Sequence, residues 1–93
     1  GQSALSDVCR EARIEGCGTL ALHFALRGTL IERVTLAGDF FELGLAQETF
    51  NQTFAGNTFT PECLQQALLE HHPERTIRNL TTEALAKLLG TEA

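Results

Sequence analysis

Thr19-Leu20-Ala21-Leu22-His23-Phe24-Ala25-Leu26 places Leu20, Leu22, Phe24 and Leu26 at every second position, and this alternation decides the fold. Successive side chains of a strand point to opposite faces, so one face of this segment is wholly apolar and has to be covered. Arg27-Gly28 follows, with a glycine free to take positive φ, and Leu30 to Ala37 returns as a strand whose apolar members are Ile31, Val34 and Leu36. The pair reads as an antiparallel hairpin. Upstream, Gly16-Cys17-Gly18 separates it from another β-type stretch near Cys9 to Glu15.

Beyond Gly38-Asp39-Phe40-Phe41 the period changes. Ala46, Phe50 and Phe54, spaced by four, describe a helix ending near Ala55-Gly56-Asn57. Thr60-Pro61-Glu62 opens a second helix with a hydroxyl cap, a proline in the first turn and an early acid. Leu64, Ala67 and Leu68 share its face, and Pro73 closes it after His71 and His72. Thr81 or Thr82 caps a third helix, in which Ala84, Leu85, Leu88 and Leu89 form the apolar stripe and Gly90 the stop. Strands first and helices second predict an α+β fold: a small antiparallel sheet of about three strands with helices packed on one face, a two-layer sandwich. A chain of 93 residues has room for one such core, and the domain is read as residues 8–90, without repeat, linker or low-complexity tract. The aromatics are six Phe with no Trp or Tyr, and most of them are expected in that core.

The net charge is −5, and the seven Lys and Arg (Arg10, Arg13, Arg27, Arg33, Arg75, Arg78, Lys87) are scattered rather than gathered into a stripe. Nucleic acid is therefore not an expected partner. No apolar run approaches the roughly 20 residues needed to span a bilayer, and no basic segment precedes an apolar one at the start. A membrane is not expected either, and a cytoplasmic location is. Gly1-Gln2-Ser3 has the composition of a cloning leftover, and a shortened chain could have lost an address signal. Cys9, Cys17 and Cys63 are odd in number and lack CxxC spacing, which predicts reduced thiols acting as small buried apolar groups.

The chain carries little that spells chemistry. The single glycine-bearing turn between strand and helix, Gly38 to Gly44, lacks the crowded glycines and the lysine of a phosphate cradle. Asp39 and Glu42 could form an acid/base pair or hold a cation, yet acids at such a junction more commonly cap the helix or stabilise the turn. His71 and His72, flanked by Glu70 and Glu74, point in different directions on a helix and suit its C-terminal dipole better than a shared metal ion. His23 faces away from the Leu20–Leu26 side, and a Cys-His nucleophilic pair there would lack an orienting third group. Neither a catalytic residue nor a metal site is read from the sequence.

Taken together, Ile31-Glu32-Arg33-Val34-Thr35-Leu36-Ala37 running into Gly38-Asp39-Phe40-Phe41, Gly56 with Phe59 beyond it, Thr60-Pro61-Glu62, and Leu80-Thr81-Thr82-Glu83-Ala84-Leu85 with Leu88-Leu89 resemble the C-terminal accessory domain of lipoate-protein ligases. The resemblance spans roughly residues 10 to 90. It implies a fold shared with iron-sulfur scaffold and sulfur-acceptor proteins. It further implies a role in the ATP-dependent activation of lipoate to lipoyl-adenylate, for transfer to a lysine of an acceptor protein. The implied partner is the catalytic domain of the ligase, with lipoate, ATP and Mg bound there and no cofactor in this chain. The family's glycine-rich substrate motif and catalytic lysine have no counterpart, so the resemblance carries over no catalytic residue. It marks Gly38, Asp39, Phe40 and Phe41 as candidates for a domain interface or for proximity to lipoyl-adenylate. One Phe is expected in the core and the other over the helix start, and turn chemistry alone also accounts for a Gly-Asp pair. Glu42-Leu43-Gly44-Leu45 departs from the usual pattern by being greasier. The alternative is an iron-sulfur assembly scaffold or sulfur-acceptor-like binding protein, whose cysteine spacing Cys9, Cys17 and Cys63 do not reproduce.

Overall fold

The computed structural model describes residues 5–91, so Gly1-Gln2-Ser3 lies outside the described residues. Strands β1 (Leu5–Ile14), β2 (Gly18–Arg27) and β3 (Leu30–Asp39) form one antiparallel sheet in the order β1-β2-β3. β1 begins well before the β-type stretch near Cys9, with Leu5 opposite Arg27. Pairing with β2, rather than apolar content, holds it, since most of its side chains are exposed. β3 likewise runs two residues past Ala37, because Gly38 and Asp39 stay in register with Leu20 and Thr19.

Leu20, Leu22, Phe24 and Leu26 of the central strand are buried, and His23 on the opposite face is exposed. Ile31 and Val34 are both fully buried although they stand three apart, which strict alternation would send to opposite faces. A bulge resolves this. Ala25 pairs with Arg33 while Leu26 pairs with Ile31, so Glu32 is the extra residue that restores the phase.

Three helices follow: α1 (Ala46–Phe54), α2 (Pro61–His71) and α3 (Thr82–Leu89). The hydroxyls of Thr60 and Thr81 accept from the amides of Cys63 (3.2 Å) and Ala84 (3.0 Å), the capping their spacing predicts. Gly90 ends α3 in the left-handed region. Pro73 does more than close α2: it starts a 3-10 turn, Pro73–Thr76, after His72 has taken the left-handed conformation at φ 49°. In the core Phe24 meets Phe54 and Phe59 edge-on, with ring centroids 6.2 and 4.9 Å apart. Phe24, Phe50 and Phe54 are fully buried, Phe40 and Phe59 half-buried, and Phe41 exposed.

α1 also closes the outer edge of β3. The Val34 amide donates to Asn51 Oδ1 (2.8 Å), the Leu36 amide to Gln47 Oε1 (2.8 Å), and Gln47 Nε2 to the Val34 carbonyl (2.8 Å). Further along, Ile31 exchanges backbone bonds with Asn57 and Gly56 (2.9 and 2.8 Å). Two side-chain amides and a loop thus satisfy groups that a fourth strand would otherwise take. Among the described residues no helix is long and apolar enough to cross a membrane.

Candidate functional site

The candidate site starts where β3 leaves the sheet. Gly18 and Gly38 lie on the neighbouring strands β2 and β3 with φ of 127° and 125°, and a Cβ on either would fall onto a carbonyl oxygen, that of Asp39 for Gly18 and of Thr19 for Gly38. Two backbones touch here without side chains between them. Glycine at both positions lets the chain swing out of the sheet immediately after Asp39.

The next residues are held by the segment following the 3-10 turn. Leu43 donates its amide to the Thr76 carbonyl (2.8 Å), Arg78 donates to the Phe41 carbonyl (2.9 Å), and Glu42 bridges to Ile77. A short strand-like pairing results. Alternation within it puts Phe41 and Leu43 on the side opposite Glu42, and both are 61% exposed, followed by Leu45 at 69%. The Arg78 guanidinium lies 5.7 Å from the centroid of the Phe41 ring. Phe40 turns the other way and packs against the core.

Gly38, Asp39, Phe40 and Phe41 therefore stand together at one end of the sheet, joined by Leu43, Leu45 and Arg78. Two details differ from expectation. Phe41 does not cover the start of α1 but faces outward beside Arg78, because the pairing with residues 76–78 carries it away from the helix. Asp39 and Glu42 do not cap α1, whose N-cap is Leu45 with no side-chain bond; five residues stand between Asp39 and that cap.

One residue that sequence reasoning passed over organises this end of the molecule. Glu74, in the 3-10 turn, is 3% exposed, and its Oε2 accepts from the Thr82 hydroxyl (2.6 Å) and from His72 Nδ1 (2.9 Å). Burial alone would raise its pKa, but the bonds from Thr82 and His72, a backbone bond and the nearby imidazole outweigh it and hold the carboxyl below the ordinary glutamate range. Its Oε1 has no partner among the described residues. Glu74 fixes the turn whose Thr76 carbonyl receives Leu43, yet nothing in the sequence distinguishes it from the exposed Glu70.

The cysteines are dispersed. Cys9 sits on β1, Cys17 in the following turn and Cys63 in α2, all as free thiols. They are not the buried apolar groups their residue type suggests: Cys9 is exposed and the other two half-buried, with burial pushing the Cys17 thiol up. Cys9 Sγ lies 3.9 Å from His23 Nε2 across the strand pair, and among the described residues no third side chain orients that imidazole. Nor do the described residues hold three His, Cys, Asp or Glu positioned to share a metal ion.

A model of the family described as bacterial lipoate protein ligase C-terminus matches residues 5–89, nearly all of the described fold. The chain belongs to this family. No curated protein matches it. Within this ligase C-terminal domain the dispersed thiols supply no donor set for an iron-sulfur scaffold. Phe41, Leu43 and Leu45 remain three exposed apolar side chains within one connection.

Proposed function

We propose that this ligase C-terminal domain assists the activation of lipoate to lipoyl-adenylate by docking its Phe41-Leu43-Leu45 ridge on the catalytic domain. The observation that carries the proposal is three exposed apolar side chains within five residues, on a connection held rigidly against residues 76–78. An accessory domain can help only by closing over the reacting groups or by shifting its partner between conformations, and both need a contact surface that differs between two states. Gly38 shapes the exit, Asp39 and Phe41 face the partner, and Phe40 anchors the connection to the core. Lipoate and ATP are substrates of the catalytic domain.

The isolated chain is expected to show no lipoate-dependent ATP-pyrophosphate exchange, because it offers no phosphate cradle and no placed lysine. Exchange measured on chain free of contaminating ligase would refute this. For the docking surface, Phe41→Asp in the reconstituted enzyme is expected to lower adenylate formation about thirtyfold, the effect of losing one aromatic contact worth ~2 kcal/mol. Transfer from synthetic lipoyl-adenylate should be retained. The milder Asp39→Asn and Phe41→Leu should move adenylation in the same direction with unchanged thermal melting. Wild-type adenylation by all three variants would reduce the motif to a fold signature.

A further inference from the structure

The two edges of the sheet are treated differently. β3 is closed by α1 and the loop behind it, as described above, whereas among the described residues the backbone of β1 bonds β2 and the turn at Cys17 and nothing else. Along a ten-residue strand, alternate residues therefore direct both backbone groups outward without a partner. On the helix side of this edge a groove of about 620 Å³ runs between β1 and α3. Ala12, Ile14 and Leu88 give it an apolar floor, and Arg10 and Lys87 stand at it as cations, while Arg13 borders it from the opposite face of β1. Two of the seven Lys and Arg of a chain with net charge −5 thus stand on the helix side of this groove, while the lining acid, Glu11, lies with Arg13 on the opposite face.

We infer that β1 and this groove form a strand-addition site for an extended acidic segment of a partner protein. The segment would pair its backbone with the open edge and set small apolar side chains on the floor. Its carboxylates would face Arg10 and Lys87. Strand addition takes affinity from main-chain bonds and specificity from pockets for alternate side chains, and both components are present. Charge complementarity selects the occupant. A second copy of this chain pairing β1 with β1 would bring two cationic grooves together along one seam, which like-charge repulsion opposes. The groove shares no residue with the Phe41 connection.

The test uses the whole chain and a labelled nine-residue peptide with threonine at odd positions and valine and glutamate in turn at even ones. Saturable binding at low salt is expected, with slowed hydrogen exchange of amides in Leu5–Ile14. Lys87→Glu, an exposed position, should weaken binding about fivefold. A peptide N-methylated at alternate residues should lose binding, as should one with lysine in place of glutamate. Equal binding by the N-methylated or the lysine peptide overturns the inference. So does absence of saturable binding at millimolar peptide, or a peptide-free dimer that already protects β1.

Discussion

Gly38→Ala is expected to cost the domain about 3 kcal/mol, adding left-handed backbone strain to an overpacked contact, and Gly18→Ala a similar amount. At both positions φ lies where L side chains rarely go, and the atom each Cβ would strike belongs to the backbone of the neighbouring strand. A side chain could rotate away, but a paired strand cannot. Thermal melting should drop by about 15 °C for a domain of this size. Gly56→Ala is the control, since its φ is 86° but nothing lies within 4 Å of the added Cβ, and it should cost about 1 kcal/mol. If Gly38→Ala melts with Gly56→Ala, the close approach of β2 and β3 is not a constraint. The first residue of the Gly-Asp-Phe-Phe motif would then owe its place to function rather than to packing.

Glu74→Ala should destabilise by about 3 kcal/mol, because it leaves the Thr82 hydroxyl and His72 Nδ1 without their buried acceptor. The same carboxylate makes a signed pH prediction. Its folded pKa lies below the unfolded one, so in the window between them the unfolded chain binds more protons. The stabilisation is complete above the ordinary glutamate range and is lost as pH falls through the lowered folded value. Glu74→Gln keeps an oxygen acceptor without a titrating group, so urea unfolding followed through this window should show a shallower decline than wild type. Parallel declines would mean that other carboxylates dominate acid unfolding. Glu74→Ala should also speed hydrogen exchange at Leu43, whose partner Thr76 sits in the turn that Glu74 holds.

The strand alternation from Leu20 to Leu26, the hydroxyl caps Thr60 and Thr81, the stop at Gly90 and the site of the Gly-Asp-Phe-Phe connection were all legible in the sequence. Each depends on residues within a few positions of one another, where period and capping chemistry act locally. The outward turn of Phe41 was not legible, because it is set by residues 76–78, more than thirty positions away. The same holds for the role of Glu74 and for the closure of β3 by Gln47 and Asn51, where side chains of ordinary type become special through a distant partner. The bulge at Glu32 left a trace in the spacing of Ile31 and Val34, but its phase follows from pairing with β2. Arg10 and Lys87 look scattered along the chain and meet at one groove in the fold. Local chemistry acts along the chain and can be read there, whereas an edge, a groove and an exposed ridge are defined by which elements pack beside one another and which are left uncovered.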